Sequence, residues 1–337
     1  MIKEEKPQKI FQKDYRINFI ERPEKLKDFI GQNHVKKQLT IAITAAKTNG
    51  KQLDHILFYG PAGLGKTTLA QIVAKEMNSN IKIISAPTIE KSGDLAAILS
   101  SIRQNDFIFI DEIHRLKINL EEILFPAMED YHIDVLIGKG PTAKSIKINL
   151  PPFTLIGATT LAGNISKPLR SRFGLILKLE YYSIDSLNII IKNAFQKLGF
   201  DIDSDSAIHI ARCSRGTPRI ALHLVKRVCD FATYKNKKKI SVEIVKETLL
   251  ELGINENGLD SNDIKLLKTI IEDYKGGPVG VNALAVSIGE DTNTVEDFYE
   301  PYLIQMGYIK RTTKGRVANQ KAYELLGLNY IEKNTLF

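Results

Sequence analysis

The 337-residue chain contains two cysteines and six histidines, and no stretch of about 18 uncharged apolar residues. The missing apolar run argues against a membrane span. Cys213 and Cys229 fall in helix-like sequence without CxxC spacing, so they read as reduced core thiols rather than as a disulfide or a metal site. The histidines are scattered, with no HxxxH or HxxC pair, and zinc chemistry finds no support. No internal repeat is apparent. The opening "MIKEEKPQKIFQKDYR" lacks the apolar core of a signal peptide. It reads as a polar tail, and the expected location is cytoplasmic.

What is present is ordinary for a soluble globular protein: 43% hydrophobic and 26% charged residues. The length suffices for two or three domains. A net charge of +8 favours a polyanionic partner such as nucleic acid, although lysine- and isoleucine-rich usage also follows from an AT-rich genome.

Along the chain, residues 25–50 have apolar positions at helical spacing, with glycine after the end. "HILFYG" then reads as a buried strand, followed by a glycine loop and the helix "KTTLAQIVAKEMN". Strand "IKIISA", helix "DLAAILSSI", strand "DFIFID", helix "LEEILFPAMED" and strand "FTLIGATT" continue the alternation. That rhythm predicts an α/β fold with a mainly parallel sheet and ligands at the C-terminal ends of its strands. "IDVLIGKGPTAKSIKINL" interrupts it with two β-rich arms, a predicted hairpin over about 133–148. After "LEYYS" the pattern is helical to about Leu252, and the basic run "KNKKK" at 235–239 reads as a solvated loop rather than a binding patch. "LGINENGLDSND" looks like a linker. Beyond it, three short helices and the β-arms of "IKRTTKGRVAN" describe a winged helix. The expected domains are 1–182, 183–253 (a small helical lid) and 254–337.

"GPAGLGKT", residues 60–67, fits G-x-x-x-x-G-K-[ST] between a strand and a helix, the context that confirms a P-loop. Gly63 and Gly65 let backbone N–H groups turn toward phosphate oxygens, and the helix N-terminus adds partial positive charge. Lys66 would reach the β- and γ-phosphates of ATP, and Thr67 would ligate Mg²⁺. "FIFIDE" delivers Asp111 and Glu112 to a strand end. Asp111 would hold Mg²⁺ through water, and Glu112 would polarise the attacking water; the alternative is a helix cap. At the end of "IGATT", Thr160 is favoured over Thr159 as the hydroxyl that senses the γ-phosphate or lytic water. In "KPLRSRFG", Arg172 is the candidate arginine finger and Arg170 the interface support, against plain surface salt bridging. Arg219 in "GTPRIA" opens a helix from which it would clamp the γ-phosphate.

These elements resemble an AAA+ ATPase. "EKSGDLAAIL", "FIDEIHRL", "PAMEDY", "SIKINLPPFTLIGATT", "PLRSRFG", "RGTPRIA", "GGPVG" and "EPYLIQMGYI" resemble one of its families in particular, RuvB, the bacterial motors that drive branch migration of Holliday junctions. The resemblance covers about residues 20–325. It implies an AAA+ domain, a helical lid and a winged helix, with ATP/ADP and Mg²⁺ as ligands. It implies nucleotide contacts at Arg22, Gly63, Lys66, Thr67, Thr68, Glu129, Asp130, Tyr131, Tyr182 and Arg219, with Arg172 as a finger serving a neighbouring subunit. It further implies a homohexameric ring on the double-stranded arms of a four-way junction, a RuvA-type partner docked on the hairpin, and a RuvC-type resolvase as an indirect partner. Ile137 and Ile146 are the candidate docking residues, with core packing as the alternative. Arg311 and Arg316, helped by Lys310 and Lys314, would touch the DNA backbone, which positions a protein without reading sequence. Ala62 replaces the usual second proline of "GPPG", Leu161 a common basic residue, and Thr292 a DNA-contacting arginine. A loader ATPase fits less well, since such subunits end in a helical collar, and a transcription activator would carry a GAFTGA-type loop that is lacking here.

Overall fold

Runs of isoleucine, leucine and phenylalanine build the frame of the protein. In the computed structural model, which describes residues 22–137 and 144–330, they form five short strands: β1 (Ile56–Tyr59), β2 (Ile81–Ser85), β3 (Phe107–Asp111), β6 (Thr154–Thr159) and β7 (Leu175–Lys178). The sheet order is β2-β3-β6-β1-β7 and every pairing is parallel. The three inner strands are buried on both faces, as their near-continuous apolar sequence requires. Helix α1 (Asn33–Thr48) precedes them, and between them run α2 (Lys66–Glu76), α3 (Ser92–Ser100), α4 (Ile118–Glu129) and α5 (Lys167–Ser171). Leu57, Ile108, Ile110, Leu120, Leu124, Phe153, Leu155 and Phe173 pack into one core cluster beside the sheet. The register aligns Tyr59 with Thr159, and Ile110 with Gly157. The glycine loop after β1, the carboxylates ending β3 and the threonines ending β6 therefore leave the same edge of the sheet.

Strand β7 is absent from the sequence reading. It is an edge strand of four residues with one fully buried side chain, so neither length nor alternation marks it. The predicted hairpin is present as β4 (His132–Ile137) and β5 (Lys144–Asn149), antiparallel, with His132 opposite Asn149 and Ile137 opposite Lys144. Its tip, 138–143, lies outside the described residues, and so does the side chain of Ile137. Ile133 is fully buried at the base, whereas Ile146 is 46% exposed and is not core.

The described chain divides into two compact units, residues 22–200 with 216–226, and residues 201–215 with 227–330. The first also holds α6 (Ile184–Leu198). Ser183 caps it by accepting from the Ser186 N–H, Gly199 ends it at φ +76°, and Leu187, Ile191, Ala194 and Phe195 form its buried stripe. The cap contributes about 1 kcal/mol and each large apolar side chain about 1.5–3 kcal/mol, so a charge at Ile191 would do more damage than loss of the serine.

The second unit opens with β8 (Asp201–Ile202) paired to β9 (Lys239–Ile240), and holds α7 (Ser204–Cys213) and α9 (Val242–Glu251). Helix α8 (Pro218–Tyr234) contributes to both units. Cys213 and Cys229 are buried and unbonded to each other, and burial pushes their thiols up to about 11 and about 12. Lys235, Asn236, Lys237 and Lys238 are exposed ahead of β9, a solvated turn in which Lys235 pairs with Glu247.

Next come α10 (Ser261–Lys268), running on as a π-helical turn Thr269–Asp273, then α11 (Val281–Ile288) and α12 (Thr292–Thr294). A second π-helical turn, Val295–Tyr299, leads into α13 (Glu300–Gln305). Strands β10 (Ile309–Thr312) and β11 (Gly315–Ala318) pair antiparallel with Arg311 opposite Arg316, and α14 (Gln320–Leu325) closes the unit. Leu266, Ile270, Leu284, Val295, Leu303 and Ile309 form its core. Helices followed by a β-wing are what the sequence predicts here. No helix among the described residues is long and apolar enough to cross a membrane.

Candidate functional site

The loop after β1 bends where only glycine is free to bend. Gly63 and Gly65 have φ of +79° and +96°, the left-handed region that costs an L-residue roughly 1–2 kcal/mol. Space for a side chain is tight as well. A Cβ on Gly63 would stand 3.0 Å from the Cβ of Arg219, and one on Gly65 would stand 3.0 Å from the Phe29 ring. The loop is thus clasped from two directions by residues far away in sequence. The Arg219 N–H donates to the Gly63 carbonyl at 3.3 Å, and the Tyr182 hydroxyl donates to the Leu64 carbonyl at 3.3 Å. Tyr182 is buried, which raises its phenol well above the ordinary value, and Gln32 opposes that. Arg22 is exposed, and its Nη1 donates to Gln71 Oε1 of α2 at 3.0 Å.

Lys66 is the first residue of α2 and is buried. Its Nζ donates to the carbonyls of Gly60 at 2.7 Å and Pro61 at 2.9 Å. Burial draws its pKa down from the usual lysine value, while the charges of Glu112 and Asp111 draw it up. This is a cation held in a loop of inward-facing backbone beside two carboxylates, with Thr67 and Thr68 partly exposed next to it. A triphosphate with its divalent cation fits that donor set: glycine backbone and lysine for phosphate oxygens, and hydroxyl and carboxylate oxygens for a hard metal.

Glu112 is held in a strained backbone, with φ +51° and ψ +42°. Such a conformation costs roughly 1–3 kcal/mol and persists where surrounding structure enforces it. Here the Glu112 N–H is fixed by Asp111 Oδ1 at 3.0 Å. Glu112 Oε2 lies 3.5 Å from Thr160 Oγ1 and 3.3 Å from His114 Nδ1. His114 Nδ1 is also 2.9 Å from Thr159 Oγ1, which accepts from the Leu161 N–H at 2.9 Å. The two threonines therefore differ. Thr159 is fully buried and tied to His114 and the backbone, whereas Thr160 is partly exposed and turned to Glu112. His114 was not singled out by sequence reasoning, because a lone histidine carries no spacing signal; its place two residues after the strand-end acidic pair is the available clue.

A second group lies on α4 and α5. Arg172 Nη2 donates to Glu129 Oε2 at 3.0 Å, its Nη1 donates to the Pro168 carbonyl at 2.7 Å, and the guanidinium covers the Phe125 ring at 4.3 Å. Glu129, Asp130 and Arg170 are exposed. Tyr131, at φ +52°, packs edge-on against Phe153, and burial raises its phenol. The hydrogen bonds of Arg172 run to Pro168 and Glu129, not to its own glycine loop.

In the second unit the wing sets Lys310, Arg311, Lys314 and Arg316 on one hairpin. Their surroundings differ more than the sequence implies. The Arg311 side chain is 53% exposed, whereas that of Arg316 is 8% exposed and bonded to Glu296 and Glu300. Thr292 donates to Asn282 Oδ1 at 3.2 Å.

Three family profiles match in succession. The Holliday junction DNA helicase RuvB P-loop domain matches residues 21–179, the RuvB AAA lid domain 182–255, and the RuvB C-terminal winged helix domain 256–327. The chain belongs to the RuvB family. It is 53% identical over 308 residues to the Holliday junction branch migration complex subunit RuvB of Fervidobacterium nodosum, across 91% of this chain and 89% of that one. It is 52% identical to the RuvB subunit of Thermotoga petrophila over 324 residues, 96% of each. Among solved structures, the Thermotoga maritima RuvB Holliday junction branch migration motor superposes with a TM-score of 0.85 at 48% identity, covering 93% of this chain and all of that one. The RuvB fold of a P-loop AAA+ domain with parallel sheet, lid and winged helix is therefore the fold of this chain.

Proposed function

We propose that this chain is the ATP-hydrolysing subunit of a branch-migration motor, moving duplex DNA through a homohexameric ring with a RuvA-type junction-binding partner. The observation that carries the reading is the unbroken run of three RuvB profiles around a complete P-loop site.

The chemistry assigned to each residue follows from its place. Lys66 and the loop N–H groups neutralise the phosphate oxygens of ATP, the substrate. Glu112 accepts a hydrogen bond from the attacking water and aims it, with Thr160 beside its carboxylate. Arg219 follows the bond between its own N–H and Gly63, and so registers the loop's occupancy. Tyr182, Arg22 and Thr68 complete the pocket wall. Thr67 and Asp111 would hold Mg²⁺, which spreads the charge developing on the phosphoryl group. Arg172, with Glu129, Asp130 and Tyr131, presents a face to the nucleotide of a neighbouring subunit, so hydrolysis requires assembly. The 133–148 hairpin, with exposed Ile146, offers the partner an apolar contact. The wing holds the DNA backbone without sequence preference, as a motor passing any duplex requires.

The test is steady-state ATP hydrolysis by the wild type and by Lys66→Ala, with and without duplex DNA. The wild type should turn over ATP faster with DNA, and the variant should be inactive in both conditions. Equal turnover by the variant would overturn the assignment.

A further inference from the structure

The wing arginines are already paired with carboxylates of their own chain. Arg316 donates from Nε to Glu300 Oε1, and from Nη2 to Glu300 Oε2 at 3.0 Å and Glu296 Oε1 at 2.7 Å. Arg311 Nη2 donates to Glu296 Oε1 at 3.1 Å and to Glu300 Oε2. Two guanidiniums and two carboxylates thus form one cluster of zero net charge. Glu296 and Glu300 are spaced i, i+4 where the second π-helical turn passes into α13, which puts both on the side facing the wing.

The two carboxylates are not equivalent. The side chain of Glu300 is 1% exposed and that of Glu296 36% exposed. Glu296 lines an open groove of about 400 Å³ together with Gly280, Val281, Asn282, Arg311 and Lys314. Lys310 and Lys314 form no ion pair with the described residues.

We propose that Glu296 is a resident anion that a DNA phosphate displaces, and that Glu300 is the positioning residue that keeps both guanidiniums directed at the groove while this happens. The inference rests on the reading of the wing as a DNA-backbone contact. A carboxylate and a phosphate offer a guanidinium fork the same paired oxygens, so one replaces the other without moving the arginines. A partly solvated pair exchanges at little cost, because water already screens it. Glu300 cannot exchange in this way, because its loss would leave a buried guanidinium short of its counter-charge. The internal competitor lowers the grip on each phosphate and speeds its release, which suits a protein that must let go at every step.

The experiment measures binding of the full chain to duplex DNA across about 50–300 mM salt, where each phosphate contact contributes a slope near −0.9 in log–log form. Glu296→Gln should bind about two- to fivefold tighter at the low-salt end, the scale of one partly solvated ion pair. Its salt slope should stay close to that of the wild type, because the same phosphate is held in both. Structural damage would weaken binding instead, so the sign separates the two. Arg311→Ala should weaken wild-type binding and remove most of the gain in the Glu296→Gln background. Glu300→Gln should weaken binding, with partial recovery in Glu300→Asp. If Glu296→Gln binds no tighter, or its slope steepens by a contact that the wild type does not make, while Arg311→Ala still weakens binding, the displacement proposal fails and the wing reading stands. If Arg311→Ala and Lys314→Ala both bind DNA like the wild type, the wing reading fails and takes the proposal with it.

Discussion

The guanidinium of Arg172 and the carboxylate of Glu129 lie 3.0 Å apart, joined across two helices and capped by the Phe125 ring. Glu129 is more than half exposed, so the pair contributes at most about 1 kcal/mol to stability. A large loss of turnover in a variant that stays folded therefore comes from function rather than from the pair.

Arg172→Ala should keep its fold and bind ATP, and lose roughly 10³–10⁵ in turnover, the range of a trans-acting finger. Mixing it with Glu112→Gln chains should restore part of the activity, because some sites then combine an intact finger with an intact carboxylate. Absence of recovery at every mixing ratio would contradict service to a neighbour's nucleotide.

Thr160→Val removes the hydroxyl beside Glu112 Oε2 while keeping the side chain's shape. ATP affinity should change little and kcat should fall about 10–100-fold, within the scale of one lost transition-state hydrogen bond. Thr159→Val instead breaks bonds to His114 and to the Leu161 N–H inside a fully buried site, so its main effect should be a lower Tm. Titration calorimetry, steady-state kinetics and thermal unfolding separate the two outcomes.

Two buried groups give opposite pH slopes. The Leu155 N–H donates to His55 Nδ1 at 2.8 Å, so Nε2 carries the proton and donates to the Met128 carbonyl at 3.0 Å, just before Glu129. Burial lowers the His55 pKa from the ordinary 6.5. Its contribution is present above that value and is lost as pH falls toward the lowered one. Asp263 is fully buried against Arg215, and burial raises its pKa from 3.8 to about 6 in spite of that cation. Its contribution is full below the unfolded value and fades as pH rises through about 6. Hydrogen exchange at the Leu155 amide should therefore become less protected below pH 6.5, and at the Asp260 amide, which donates to Asp263, less protected as pH rises through 6. His55→Ala and Asp263→Asn should each flatten only the corresponding slope.

The parts of the fold legible in the sequence are those written over short distances. The glycine loop, the acidic pair closing β3 and both hairpins depend on residues a few positions apart, where spacing states the geometry. Leu175–Lys178 escaped notice because four residues at a sheet edge carry almost no pattern. His114 has no spacing partner, and its link to Thr159 spans 45 residues. Arg215, which bonds to Asp260 and Asp263, owes its role to a pairing across more than 40 residues. The wing shows the same limit: four basic residues were readable as one cationic strip, but the carboxylates that neutralise two of them sit on a preceding helix.

In the proposed function, ATP hydrolysis by this chain moves a DNA junction. Its most direct test is dissociation of a synthetic four-way junction by the purified protein with ATP and Mg²⁺, with and without a RuvA-type partner. Dissociation that requires ATP and is strongly stimulated by the partner is the expected result. DNA-stimulated hydrolysis that leaves the junction in place even with the partner present would contradict it.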